Sequence, residues 1–342
     1  EPIPDPTDEL YLEFSRNGNR SRYQRVHGAR RSRLSSLVLA ECLANRGRFL
    51  PAIEATVRAT CAEKSWLLPA HDRDLRNFRG EVVEIDLASA ATAWNLASMA
   101  YWLGEQLSED VRKLVGDELE RRAFQPFEGY VKTGQPQLWW ATGTNNWNAV
   151  CLAGVTGAAM AAIEPVERRA FYAAAAERYI EYFLKGFTPD GYCSEGMGYW
   201  NYGFGNYVSL AETLHQATGG RIDWLADPRI EPIAGFGRRM EILPGLYPAF
   251  ADCRVGAEPD TVLLSRALAQ RLGIAPGASL LVLVPEVNAE GQVVPRAQRM
   301  RLAGIFNTGT EVDNTLALIG LDAATRLRGQ PGVVQGVRFQ VR

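Results

Sequence analysis

The run Cys151–Ile163, CLAGVTGAAMAAI, carries no charged residue, and on a 3.6-residue helix its small apolar side chains face every direction. Such a helix has no solvent face, so neighbouring elements must enclose it on all sides. It is too short and too rich in Ala and Gly to cross a bilayer, which takes roughly 20 predominantly apolar residues. A core built around this helix is therefore the first expectation. Just upstream, GTNNWNAV (143–150) sets three asparagines and a tryptophan at its mouth. Asparagine is a poor helix former with two hydrogen-bonding ends, so these residues either cap the helix or hold something polar.

The surroundings read as more helix, over most of residues 31–245. In VERRAFYAAAAERYIEYFLKGF, after Pro165, residues Ile180, Phe183, Leu184 and Phe187 recur at i, i+3, i+4 and i+7. Pro165 suits the first turn of that helix, and Gly186 and Pro189 suit its end. Similar patterns occupy 34–46, 51–62, 86–104 and 107–124. Successive helices on short loops, without strand signals between them, predict antiparallel helical hairpins.

The pattern changes at Glu258-Pro259. DTVLLSRALAQRLG reads as one more helix, capped by Asp260 and stopped at Gly273. Apolar, β-like runs follow at SLLVLV (279–284), RMRLAGIF (299–306) and TLALI (315–319). In GVRFQV, Val337, Phe339 and Val341 alternate with polar residues. A chain of 342 residues exceeds the usual single domain of about 150. The fold expected is multi-domain: a mainly α domain over residues 1–257, then a small α+β domain over 258–342.

Lys+Arg 37 against Asp+Glu 39 leaves a net charge of -2, without the basic excess of a nucleic-acid or membrane-surface binder. The five cysteines (Cys42, Cys61, Cys151, Cys193, Cys253) form no CxxC pair, which excludes a zinc ribbon or a dithiol motif. None of the three histidines (His27, His71, His215) stands at metal-ligand spacing, so neither a metal nor another cofactor is expected. No GxxxxGK loop is present, which removes a P-loop ATPase. EPIPDPTDEL lacks the basic and apolar regions of a signal peptide, so a cytosolic chain or a mature exported form is expected.

TNNWNAVCLAGVTGAAMA and FTPDGYCSEGMGYWNYGFGNYV, with SWLLPAHD, EIDLASAATAWNLA and YPAFADC, resemble the helical domain of heparinase II/III-like polysaccharide lyases. The resemblance runs over most of residues 10–255. It implies an incomplete (α/α) toroid of paired helices, cleavage of uronate glycans by β-elimination, and a periplasmic or secreted location, with a cytoplasmic one left open. Family members continue into a β-sandwich that supplies histidines and often a metal. Here the tail, with LLSRALAQRLGIAPGASLLVLVPE and the segments after it, resembles instead the periplasmic domain of MacB-like, lipoprotein-releasing ABC-transporter permeases. No histidine follows His215, so a site that binds acidic glycan yet turns over poorly is one expectation.

β-Elimination needs the sugar carboxylate neutralised, a base for the C5 proton and an acid for the leaving O4. By motif position the resemblance implies that Asn146 is the carboxylate-neutralising amide. Trp147 stands where characterised lyases of this class often keep a histidine. Asn145 and Asn146 also fit N-caps of the buried helix, and the two roles agree, because a helix N-terminus attracts anions. Tyr202, then Tyr199, is the candidate acid and base, provided positive neighbours lower a phenol pKa of about 10. Both tyrosines are expected in a loop rich in Gly and aromatics, with Tyr207 opening the next helix.

Glu195 is a candidate for binding sugar hydroxyls or orienting a tyrosine. Asp190 belongs to the turn signature PDGY, and Cys193 has no nearby histidine to activate it. Trp66, His71, Trp139 and Trp140 are candidate cleft walls. For Trp94 wall and core are equally open, and Trp102 is expected in the core. Few basic residues flank these motifs, which disfavours a highly sulfated substrate. The leading expectation is a lyase acting on an acidic polysaccharide. Its rivals are a non-catalytic glycan-binding or scaffold protein with a protein-interaction tail, and a glycoside hydrolase using Glu195 with a second acid.

Overall fold

A computed structural model describes residues 2–241, 247–248, 250–251, 261–287, 293–306 and 317–319. The chain divides into two compact units, Glu1–Ser194 with Tyr199–Ala234, and Glu195–Gly198 with Gly235–Arg342. The first is helical. Its long elements are α1 (Asp8–Asn17), α2 (Ser21–Ala44), α3 (Leu50–Cys61), α4 (Leu87–Leu103), α5 (Glu109–Leu119), α6 (Gln125–Thr133), α7 (Asn146–Ala162), α8 (Val166–Leu184) and α9 (Gly196–Ala217), followed by the short α10 (Ile230–Ala234). Helix starts and stops follow local chemistry. Asp86 closes a capping box with Ser89 at the head of α4, and Pro126 takes the first turn of α6. The turn from α2 to α3 folds over buried Glu41, whose carboxylate accepts from the backbone N–H of Arg46, Gly47 and Phe49 at 2.9, 2.6 and 2.7 Å. The Phe49 bond first, with the other two, holds that carboxyl below its ordinary range against the effect of burial.

α7 is the helix that Cys151–Ile163 predicts: every residue from Asn148 to Ala159 is buried. Its glycines set how closely its neighbour approaches. A Cβ on Gly154 would meet Ala90 O at 2.5 Å, and one on Gly157 would meet Trp94 Cε2 at 2.2 Å. Residue 154 therefore faces 90 and 157 faces 94, so α4 and α7 run side by side in the same direction. A Cβ on Gly203 would lie 3.0 Å from Asn146 Cα, while Thr213 and Gln216 share a cavity with Gly157 and Met160, so α9 runs parallel to α7 as well. Arg31 Nε donates to Thr92 Oγ1 at 3.4 Å, and Leu34 and Val38 line that cavity with Trp94 and Met99, which brings α2 into the same set.

α8 runs back along α7. Asn148 Nδ2 donates to Tyr179 O at 3.1 Å near one end, and Arg169 donates to Ile163 O at 2.8 Å near the other. An antiparallel hairpin of the expected kind is thus formed by α7 and α8.

In the second unit, α11 (Phe236–Met240) precedes β1 (Thr261–Ser265), α12 (Arg266–Leu272), β2 (Ser279–Val287), β3 (Val293–Phe306) and β4 (Ala317–Ile319). Among the described residues the sheet order is β2-β3-β1-β4, with β1 parallel to β3 and antiparallel to β4. Val262 and Leu264 of β1, Met300 and Leu302 of β3, and Ala269 of α12 form its core. The single helix expected over DTVLLSRALAQRLG is corrected here: Thr261–Ser265 pairs as a strand, and the helix starts five residues later than read. Ser265 Oγ, accepting from Leu268 N at 3.2 Å, caps it in place of Asp260, and Gly273 ends it at φ 64. The strands expected at 279–284 and 299–306 form. Asp260 and the alternating stretch 336–341 lie outside the described residues.

Candidate functional site

The N-terminal ends of α4 and α7 are neighbours, because the two helices are parallel. Asn145 caps α7, its Oδ1 accepting from Trp147 N at 3.2 Å. The third asparagine, Asn148, is a tie: its amide Nδ2 reaches Trp140 O, Ala141 O and Tyr179 O at 3.1, 2.8 and 3.1 Å. That binds the Trp139–Thr142 turn and α8 to the head of α7. Gly186 is needed for the same closure, since a Cβ there would fall 1.9 Å from Thr144 O. Asn146 is buried, 3 % exposed, under the approach of Gly203. Asn145 is thus the cap that the cap reading expects, while Asn146, expected as a second cap, is instead the first residue of α7.

Trp147 lies between two rings. His71 meets it edge-on with centroids 4.6 Å apart, and Trp139 lies tilted at 4.8 Å. Trp139 is 54 % exposed, so this cluster has an open aromatic wall. His71 ends the short 3₁₀ turn Pro69–His71, and its Nδ1 lies 2.7 Å from Asp86 Oδ2. Asp86 is buried, and its carboxylate also accepts from Leu68 N at 2.9 Å and Ser89 N at 2.7 Å. A carboxylate only accepts, so Nδ1 carries a proton toward Asp86, and in the uncharged form of such a ring the lone pair is at Nε2. Nε2 makes no hydrogen bond among the described residues, and the side chain is partly open to solvent. The neighbouring Asp72 is structural: buried, it accepts from Asn77 N, Phe78 N and Tyr11 Oη at 3.1, 2.8 and 3.0 Å.

Tyr199 and Tyr202 lie within α9, a correction to the loop expected for them. Glycines at 203 and 205 suggest a loop in sequence, but Gly203 serves helix packing against Asn146. Tyr202 is exposed on the surface of α9, yet burial of its phenol pushes its pKa up to about 12. The acidic groups of Cys151, Asp86 and Tyr199 act in the same direction. The lowering by positive neighbours expected for a phenolate base is thereby reversed. Tyr207 sits deep in the same helix, buried, with its hydroxyl donating to Trp224 O at 3.2 Å.

Two expected cleft walls are core. Trp66 and Trp140 are each 1 % exposed, with indole N–H groups donating to Thr60 O at 2.9 Å and Ile85 O at 2.8 Å. Neither has a face to offer a sugar. Trp102, expected in the core, is instead exposed at the far end of α4, and Trp94 is half-buried against Gly157. Asp190 is a turn residue as expected, accepting from Thr188 Oγ1 and Tyr192 N. Cys193 is buried. Glu195 groups with the second compact unit. Asp86 is the residue that sequence reading passed over. Its D-x-x-S spacing marks a helix cap, but nothing local pairs it with a histidine fifteen residues earlier.

Among the described residues no group of three or more His, Cys, Asp or Glu side chains is placed to hold a metal ion, and no helix is long and apolar enough to cross a membrane. Neither a family model nor a curated protein matches the chain.

Proposed function

We propose that the helical unit is a polysaccharide lyase domain that binds a uronate-containing glycan and cleaves it by β-elimination. The parallel long helices α2, α4, α7 and α9, with α8 returning between α7 and α9 in the chain, support its reading as an incomplete (α/α) toroid. The glycan would lie at the N-terminal ends of α4 and α7, against the ring cluster of Trp139 and Trp147, since aromatic rings supply the apolar faces that pack on sugar rings.

The observation that carries the reading is the seating of α9 on the head of α7. Gly203 packs on Asn146, so the adjacent Tyr202 stands beside the asparagine motif and acts electrostatically with Asp86, the carboxylate that holds His71. With its pKa raised, Tyr202 keeps its proton at neutral pH and is suited to deliver it to the leaving O4. Tyr199 stands one helical turn earlier and supports Tyr202. A carboxylate arriving there meets the positive end of α7 and the amide of Asn146. Such chemistry belongs with acidic polysaccharides outside the cytoplasm, and the proposal places the protein in the periplasm or among secreted proteins.

The test is incubation with a panel of uronate polymers (alginate, heparan sulfate, hyaluronan, polyglucuronate), following the ultraviolet absorbance of the C4=C5 product and, separately, new reducing ends. Both should rise together on at least one polymer. Reducing ends without absorbance would establish a hydrolase, and retained binding without either would establish a non-catalytic glycan binder.

A further inference from the structure

The raised phenol leaves the proposed elimination without a base. An acid that holds its proton at neutral pH cannot also be the group that removes the C5 proton, because only a minute fraction of it is ionised. The position at which the resembled lyases often keep a histidine is Trp147, which has no basic atom. Yet the edge of an imidazole lies against that very ring, 4.6 Å between centroids, contributed by the loop before α4.

We propose that His71, oriented by Asp86, is the base that abstracts the C5 proton, so that the imidazole comes from a different element than the asparagine motif. This inference rests on the lyase reading above. Three features of the geometry carry it. Asp86 accepts from Nδ1 at 2.7 Å, which fixes both the tautomer and the plane of the ring. Asp86 is itself fixed, by Leu68 N and by the capping box of α4, and so cannot swing away from the ring. Nε2, the atom that remains, makes no hydrogen bond among the described residues, and the partly exposed side chain lies against the Trp147–Trp139 wall. A histidine filling space in a core needs none of these, and His27 shows the contrast: it is buried against Tyr23, with no carboxylate partner among the described residues.

The step balances without any further reactant. The C5–H electron pair becomes the C4=C5 double bond, the C4–O4 bond breaks, Nε2 takes the C5 proton, and O4 takes the proton of Tyr202. Return of one proton to Tyr202 and loss of one from His71, both through solvent, restore the site. Asp86 touches no reacting atom and is a positioning residue.

The experiment uses the full chain with the polymer that it cleaves best. His71→Ala should lower kcat by about 100-fold or more with KM within a few-fold, and added imidazole should restore part of the rate. His71→Asn, which keeps a donor toward Asp86, should show the same loss in a folded protein and carries the test if the alanine variant unfolds. Asp86→Asn keeps a capping side chain on α4. It should lower kcat with little change in KM, and the ¹⁵N spectrum should show His71 passing from the single Nδ1–H tautomer to a mixture. Wild-type elimination with an unchanged kcat in His71→Ala and His71→Asn would overturn the role of His71 while the lyase reading stands. No elimination by the wild-type chain on any uronate polymer would overturn both.

Discussion

Replacing Gly154 by alanine tests the helix arrangement on which the site depends. The new Cβ would sit 2.5 Å from Ala90 O and 2.6 Å from Ala90 C, where ordinary contact begins at 3.4 Å. α4 and α7 must then part by roughly 0.9 Å, and the atoms in the way are helix backbone, with no rotamer that could yield. Overpacking of this kind costs about 1–3 kcal/mol, and rigid backbone puts it at the upper end. Alanine gains about 1 kcal/mol over glycine within a helix, so the net loss is about 2 kcal/mol. For a unit of this size that lowers the melting temperature by about 4–8 °C. The control is Gly116→Ala in α5, where a Cβ meets nothing within 4 Å. It keeps the propensity gain without the clash and should raise the melting temperature by about 2–4 °C. Scanning calorimetry on both variants gives the answer. A Gly154→Ala protein that melts at or above the wild type would refute the parallel contact of α4 and α7. The same displacement reaches Asp86, one turn before Ala90, so this variant should also lose glycan turnover.

Three further outcomes are expected. Burial, with Arg31 and Arg30 beside it, lowers the His27 pKa to about 3. Below about pH 6.5 the unfolded chain therefore binds a proton that the folded one refuses, and stability falls as pH drops from there toward 3. Between pH 7 and 5 this amounts to ~2 kcal/mol. His27→Phe, stacked on Tyr23 in the same way, should show that much less loss in paired urea titrations, and equal losses would exclude His27 as the cause. Asn145→Ala removes the α7 cap and should cost about 1 kcal/mol in urea unfolding, with Asn145→Asp close to wild type; equal stability of all three would deny the cap. Trp139→Ala removes an exposed ring and should weaken glycan binding up to about tenfold with no change in melting temperature. A stability loss without a binding loss would place Trp139 in the core instead.

Much of the helical unit is legible in its sequence because burial and capping act locally. The all-round apolar run of α7 and the cap at Asn145 each follow from a few adjacent residues. Thr261–Ser265 misleads because a short apolar run next to a helical pattern suits either period, and only pairing with β3 and β4 decides it. The glycines around Tyr202 read as a loop, since a sequence does not say whether a glycine is there for a turn or for a neighbouring helix. Trp66 and Trp140 read as cleft walls because the carbonyls that satisfy their indole N–H groups, at Thr60 and Ile85, are set by the tertiary fold. The pairing of His71 with Asp86 is hidden for the same reason: each residue has a local reading, one as part of a turn and the other as a cap, and only the fold brings them within 2.7 Å.

Elimination, hydrolysis and mere binding are separated by mass spectrometry of a defined uronate oligosaccharide after incubation with the chain. Elimination yields two fragments whose masses sum to that of the parent, one of them carrying the C4=C5 bond, and both should be absent with Tyr202→Phe. Fragments that together exceed the parent by one water would contradict it, as would an unchanged parent across the panel of uronate oligosaccharides.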